Sequence, residues 1–436
     1  MKPSSPRTPK VLAVHNYYKL PGGEDKCFED EVRMLREHGH DVQTLTVHND
    51  LVDQIGRIKL AARTVWNRDA AGRLRDLVRQ EKFDVVHFHN TFPLLSPAVY
   101  AAARSEGAAV VQMLQNFRLL CPGAFLMRDG KVCEDCLGKT VPWPAIQHSC
   151  YRGSRTASAV VAGLNGVHRI LGTWRKEVDV FLAMTEFGKR KYVEGGLPIE
   201  RILVKPNFVH PAPVAGDGGG GYALFVGRLS KEKGLDTLLA AWKMLQPNIR
   251  LKIVGGGPLE DQVRDAAAHD SRIEYVGFCD ADAVYGLMQS ASCLVFPSIW
   301  YEGLPKTIIE SFACGTPVLT SDIGAQAEVV RHSENGMHFK AGDAGRLAAQ
   351  VVTMFRDSDR LQEMRVAARL SYTNLYDEAE NYRQLIDVYA VAIANLAGDS
   401  ASSSKSDLVQ PHLQNLPLTA SPKSTVSAGH VHPVRK

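Results

Sequence analysis

One pattern constrains this chain more than any other, and it occurs in both halves. A short apolar run leads into a glycine-containing loop, and an amphipathic helix follows. In the first half, Lys10–Val14 reads as a buried strand, the loop HNYYKLPGGEDK carries Gly22 and Gly23, and the next helix sets Phe28, Val32 and Leu35 on one face. The second half starts over. YALFVGRLSKEKGLDTLLAAWKML and LKIVGGGPLEDQVRDAAA each read as strand, glycine loop and helix, and IEYVGF and CLVFPS add further strands that precede helices. Strands that alternate with helices imply a parallel sheet covered on both faces.

The 436 residues exceed what one core of about 250–300 residues holds, so two domains are expected. PNFVHPAPVAGDGGGG, at 206–221, is a linker by composition. The expectation is α/β throughout: a Rossmann-like domain over 1–207, a second over 222–371, and a Ser/Pro/Lys-rich disordered tail over 398–436. A net charge of +4 is too small to argue for nucleic acid. The N-terminus lacks the apolar run of a signal peptide and no stretch reaches a membrane span, which places the expected protein in the cytoplasm.

The most informative stretch is CLVFPSIWYEGLPKTIIESFACGTPVLTSD, residues 293–322. Glu302 precedes Gly303-Leu304-Pro305, and Glu310 lies in an apolar helix between Ile308-Ile309 and Phe312-Ala313. A carboxylate in such surroundings needs partners. A ligand could provide them, or a neighbouring arginine or backbone group. Gly22-Gly23 ahead of a helix could admit an anion to free N–H groups, although the same pair often only makes a turn. In FDVVHFHN, His87 and His89 share a strand face, and His89 is nearer the C-terminal end, where α/β folds bind ligands.

Cys121, Cys133, Cys136 and Cys150 fall within thirty turn-rich residues. Four thiolates with one C-x2-C pair could close a structural zinc site, and unligated thiols are the alternative. In residues 151–178, Arg152, Arg155, Arg169, Arg175 and Lys176 accompany Val160, Leu164, Val167 and Leu171, whose spacing fits one helical face. Such a basic amphipathic helix could contact an anionic membrane or simply pack on its own domain. Asp280 and Asp282 form a D-x-D pair, but they open a helix, so N-capping is the expected role.

Taken together, GRLSKEKG at 227–234, GGGP at 255–258 and the Glu302-x7-Glu310 pair resemble glycosyltransferase family 4, retaining enzymes of the two-Rossmann-domain GT-B fold. The resemblance covers about residues 10–396, and the cysteine segment looks like that of a subgroup in bacterial cell-surface polysaccharide synthesis. It implies a nucleotide-sugar donor, a saccharide or lipid-linked saccharide acceptor, no catalytic metal or other cofactor, and a last helix, 372–396, that crosses back to the first domain. By the same resemblance, Arg228 and Lys233 sit at the donor diphosphate together with the N–H groups of Gly303 and Leu304, and Gly255 belongs to the donor site. Glu310 holds the ribose and Glu302 the transferred sugar. Gly22, Gly23 and His89 line the acceptor side.

Gln115 departs from this pattern, because many relatives carry histidine there. Glutamine still forms hydrogen bonds but does not titrate near neutrality. Two other functions fit the architecture. A nucleotide-sugar epimerase would need an acid/base pair around the ring, and none is evident. A catalytically impaired sugar-nucleotide-binding subunit would be consistent with Gln115. An NAD dehydrogenase is disfavoured, because Gly255-Gly256-Gly257-Pro258 lacks the G-x-G-x-x-G spacing.

Overall fold

A computed structural model describes residues 8–20, 22–246 and 248–398. The expected tail, beyond Gly398, lies outside the described residues. The first domain contains strands β1 (Val11–Tyr17), β2 (Val42–His48), β3 (Val85–Phe88), β4 (Ala109–Leu114), a short hairpin of β5 (Met127–Arg128) and β6 (Lys131–Val132), then β7 (Val180–Ala183) and β8 (Ile202–Val204). Its helices are α1 (Gly23–Glu37), α2 (Arg57–Val65), α3 (Arg68–Glu81), α4 (Ala98–Arg104), α5 (Trp143–Gln147), α6 (Arg155–Leu171), α7 (Thr173–Lys176) and α8 (Glu186–Glu194). All pairs in the six-stranded sheet are parallel, in the order β2-β1-β3-β4-β7-β8.

The second domain repeats this plan. Strands β9 (Tyr222–Val226), β10 (Arg250–Val254), β11 (Ile273–Gly277), β12 (Cys293–Phe296), β13 (Val318–Ser321) and β14 (Gly336–Phe339) form a parallel sheet in the order β11-β10-β9-β12-β13-β14. Its helices are α9 (Leu235–Met244), α10 (Glu260–His269), α11 (Ala281–Ser290), α12 (Lys306–Ala313), α13 (Gly324–Val329), α14 (Ala344–Arg356) and α15 (Ser358–Leu375). The apolar strand runs are buried on both faces, as parallel sheets require. Asp280 caps α11 by accepting from the Ala283 N–H at 2.9 Å.

Helix α16 (Glu378–Leu396) packs on β4, β3 and β7 of the first domain, whereas α15 packs on α12 and α14 of the second. Residues 372–375 therefore lie in α15, and the crossing chain is α16 itself. One face of each sheet has its own core, and the other faces merge into a single cluster. That shared cluster runs from Val11 and Phe28 through Leu304 and Ile308 to Leu385 and Tyr389.

In α6 the expected apolar face is only partly inward. Leu164 is buried with Val161 and Ala162, but Val167 and Leu171 are exposed, at 38% and 48%. The spacing of Val160, Leu164, Val167 and Leu171 alone does not identify which of them is packed.

Candidate functional site

In a doubly wound sheet, ligands bind outside the C-terminal ends of the two strands at which the chain's direction of travel reverses. Here those strands are β1 and β3 in the first domain, and β9 and β12 in the second. The loops that leave them carry most of the residues singled out from sequence.

After β1, Gly22 is the N-cap of α1, and its N–H donates to Asp25 Oδ2 at 3.0 Å. Asp25 Oδ1 lies 2.7 Å from His15 Nε2 on β1, and burial pushes the His15 pKa down to about 4. A neutral imidazole therefore pins the loop. No atom lies within 4 Å of where a Cβ on Gly22 or Gly23 would stand, so the loop borders open space.

His89 follows β3 and is 4% exposed. Its Nε2 is 3.2 Å from Glu31 Oε1, whose carboxylate also meets His87 Nδ1 at 2.9 Å and Lys205 Nζ at 3.1 Å. Burial alone would raise the Glu31 pKa, but Lys205, His87 and His89 outweigh it and hold the carboxyl well below its usual range. Among the described residues, Glu31, His87 and His89 are the one group whose three ligand atoms fall within 4.8 Å of one another. The Lys205 ammonium already provides the positive charge this carboxylate needs.

Gln115 follows β4, and its buried Nε2 has no hydrogen-bond partner among the described residues. Next to it, Asn116 Nδ2 donates to Glu24 Oε1 and Tyr18 Oη donates to Glu24 Oε2, both at 2.8 Å, which ties this loop to the glycine loop. His89, Asn90, Phe92, Gln115, Asn116 and Arg118 help to line a pocket within the first domain.

In the second domain, the loops after β9 and β10 stack closely. A Cβ on Gly255, at φ +134°, would lie 2.0 Å from the Gly227 carbonyl oxygen. Arg228, in the first of these loops, is exposed. Lys233 Nζ reaches across to the loop after β12 and donates to Glu302 Oε1 at 2.7 Å. Ser298 Oγ at 2.8 Å and Trp300 Nε1 at 2.9 Å donate to the same oxygen, and Glu302 is only 6% exposed. The Lys233 ammonium also lies over the rings of Phe296 and Trp300.

Beyond Glu302 the loop meets the other domain. A Cβ on Gly303 would stand 2.5 Å from Met184 Cε and 2.9 Å from the Gln115 carbonyl oxygen, and Thr185 Oγ1 donates to the Gly303 oxygen at 3.4 Å. Leu304 enters the shared core, and Pro305 is the N-cap of α12. Glu310 lies one turn beyond Lys306 in that helix. Burial raises its pKa, and the nearby Lys306 charge opposes the rise. Lys306 itself pairs with Asp30 of α1 at 3.0 Å.

Glu302 and Lys233 are therefore in direct contact, and Gly303 packs directly against the Gln115 backbone of the first domain. Sequence reasoning did not single out Ser298, Trp300, Glu24, Asn116, Asp30 or Lys306. For Ser298 and Trp300 a signal existed, because they stand four and two residues before a carboxylate in need of donors. Asp30 likewise sits in a helix among buried apolar residues.

The four cysteines form a separate group. Burial, and after it the charge of Cys121, pushes the Cys136 thiol up to about 12 and raises that of Cys150. All four are free thiols, and no three of their sulfurs fall within the 4.8 Å spacing met by the Glu31 group.

Comparison with known proteins agrees with this layout. The family described as "Glycosyl transferase 4-like domain" matches residues 22–207, and "Glycosyl transferases group 1" matches 211–371. A phosphatidyl-myo-inositol mannosyltransferase of Mycolicibacterium smegmatis is 25% identical over 399 residues, covering 85% of this chain and 91% of the relative. An uncharacterized 42.6 kDa protein in the cps region of Klebsiella pneumoniae is 26% identical over 275 residues, or 61% of this chain and 65% of the relative. The chain thus spans just under two thirds of that relative's length, and the corresponding mannosyltransferase of Mycobacterium leprae is likewise matched over 65% of its length. Among solved structures, HepE of Anabaena in complex with UDP superposes with a TM-score of 0.64 at 16% identity, over 87% of this chain and 99% of that one. A sucrose-phosphate synthase from Thermosynechococcus elongatus superposes with a TM-score of 0.64 over 89% and 100%. With both domains matched in order and the paired sheets facing across a cleft, the chain belongs to the glycosyltransferases of GT-B fold that join a 4-like domain to a group 1 domain.

Proposed function

We propose that the chain transfers a sugar from a nucleotide-sugar donor to a saccharide or lipid-linked saccharide acceptor, with retention at the anomeric carbon, in the synthesis of a surface polysaccharide or glycolipid. The observation that carries this reading is the Glu302 clamp. A nearly buried carboxylate, gripped by Lys233, Ser298 and Trp300 on one oxygen, stands at the C-terminal strand ends of the second domain, one residue before the Gly303 contact with Gln115 of the first.

In this reading Glu302 orients the sugar hydroxyls. Arg228 and Lys233 stabilise the diphosphate charge that develops as the C1–O bond to phosphate breaks. The acceptor oxygen forms its bond to C1 on the same face, and its proton passes to the departing phosphate oxygen, leaving a nucleoside diphosphate. The N–H groups at the start of α12 add dipole donors to the phosphates, and Glu310 accepts from the ribose hydroxyls. Gly22, Gly23, His89 and Gln115 form the acceptor wall. Protein cations carry the leaving-group charge, so the scheme uses no metal.

The neighbour solved with UDP makes uridine diphosphate sugars the first donors to try. Glu302→Ala should abolish nucleotide release from the matching donor and still bind the free nucleotide. Full turnover by that variant would refute the assignment. Zinc at Cys121, Cys133, Cys136 and Cys150 is a separate proposal, supported by the four thiols' shared turn-rich segment. Metal analysis that finds no zinc in the purified protein removes it.

A further inference from the structure

Phe125 stands between two residues of unusual backbone. Ala124 has φ +69° and Leu126 φ +46°, the left-handed region that residues with a Cβ seldom enter. The side chains of Ala124 and Leu126 are buried, whereas Phe125 is 53% exposed. Hydrogen bonds hold the turn in place. The Ala124 N–H donates to the Cys121 carbonyl at 2.8 Å, the Phe117 N–H to the Ala124 carbonyl at 3.2 Å, and the Cys133 N–H to the Leu126 carbonyl at 2.8 Å. Strained backbone of this kind persists where the surroundings enforce it, and it gathers at functional sites. What this turn presents is a phenyl ring directed out of the first domain.

That ring meets the Glu302 clamp. Phe125 and Trp300 lie with ring centroids 4.8 Å apart and planes at 79°, an edge-to-face contact. Trp300 is the residue whose Nε1 donates to Glu302 Oε1 at 2.9 Å. Its own domain supplies the Lys233 ammonium, 5.6 Å from the indole centroid, and Gln326 Nε2, which donates to the Trp300 carbonyl at 3.0 Å. The next residue, Tyr301, is also met by the first domain. Phe187 of α8 lies with its ring centroid 4.7 Å from that of Tyr301, and Lys191 of α8, 5.9 Å over the Tyr301 ring, pairs with Glu134 at 2.9 Å. Phe125 and Glu134 both belong to the cysteine-bearing segment. That segment therefore reaches both residues that precede Glu302, Trp300 directly and Tyr301 through Lys191.

We propose that Phe125 is a positioning residue for sugar transfer: it holds the Trp300 indole in the orientation that aims its N–H at Glu302. This role rests on the assignment of Glu302 to the transferred sugar. Without the phenyl edge, the indole keeps the Lys233 charge on one face but is free to turn, and the Glu302 oxygen then accepts from two donors in place of three. A carboxylate that orients sugar hydroxyls loses rate steeply when its geometry loosens. Because Phe125 and Trp300 belong to different domains, their contact forms when the domains close. Closure and the setting of Glu302 are thereby joined at one aromatic pair.

In the full chain, Phe125→Ala should lower kcat at least tenfold while the donor KM changes less than threefold and circular dichroism stays unchanged. Phe125→Tyr, which keeps the ring, should recover at least half of the parent kcat. Trp300→Phe removes the N–H through which Phe125 acts, so adding Phe125→Ala to it should cost less than a further twofold. A second readout does not depend on turnover. With isotopically labelled tryptophan, the indole N–H resonance that Trp300→Phe removes should shift in Phe125→Ala and exchange with solvent at least tenfold faster than in the parent. An unmoved resonance overturns the proposal, and so does parental kcat in Phe125→Ala or a full multiplicative loss in the double variant. A raised donor KM at unchanged kcat would place Phe125 on the substrate and would also overturn it. A parent chain that releases nucleotide from no donor refutes the sugar-transfer reading, and the indole resonance then still decides whether Phe125 sets Trp300.

Discussion

At Glu302 one carboxylate oxygen takes three donors, and removing any of them leaves a nearly buried acceptor short of a partner. Lys233→Ala should therefore lower stability as well as turnover, by about 1–3 kcal/mol in urea unfolding. Lys233→Arg restores the charge but not the geometry of a single ammonium point, so it should recover stability better than activity. His15 makes a second prediction. Its pKa falls from 6.5 to about 4 on folding, chiefly through burial. Between those values the unfolded chain binds a proton that the folded chain does not. Its contribution is then fully present above about pH 6.5 and is lost as pH falls toward 4, up to about 3 kcal/mol in all. His15→Gln should flatten the stability profile in that window relative to the parent, and an unchanged slope would count against His15 as its source.

Among the elements, the loops after β9, β10 and β12 show how much of the site was legible beforehand. GRLSKEKG and GGGP were recognisable because close backbone stacking leaves room only for glycine at particular places. Gly255→Ala would press a methyl group against the Gly227 carbonyl at a positive φ, so it should cost about 1–3 kcal/mol and loosen the Arg228 loop, read as a lower melting temperature and weaker nucleotide binding. The clamp was half legible. Glu302 stood out as a carboxylate in need of partners, but that Lys233 would be one of them depends on β9 lying beside β12, and strand order is not written in any local pattern. The same limit hid the approach of Gln115 to Gly303, which are far apart in sequence. In α6 the difficulty was different. Its apolar spacing fitted either a face packed on the domain or one turned toward a membrane, and the helix turns Val167 and Leu171 outward. The β14 strand and the β5–β6 hairpin, both short, gave no signal that separated them from loop.

For the molecule as a whole, two domains share one inner core and touch through a few polar contacts at the mouth of the cleft. Glu328 of α13 accepts from the Glu186 N–H at 2.8 Å and pairs with Arg190 of α8. The contact nearest the proposed donor site is Lys306 to Asp30. Lys306 occupies the first turn of α12, where the helix dipole disfavours a cation, so its position there depends on an acid from the facing domain. Asp30 is 2% exposed and also pairs with Lys26 one turn earlier on α1, so the acid keeps a cationic partner when the domains part. The pair thus acts on the closed arrangement more than on either domain alone. Asp30→Asn and Lys306→Met should each lower the melting temperature and enlarge the radius of gyration measured by small-angle scattering. The double variant should lose less than the sum of the two, with a coupling of about 0.5–3 kcal/mol. Strictly additive effects with no change in radius would mean that the core around Leu304, Ile308 and Tyr389 holds the domains together without help from this ion pair.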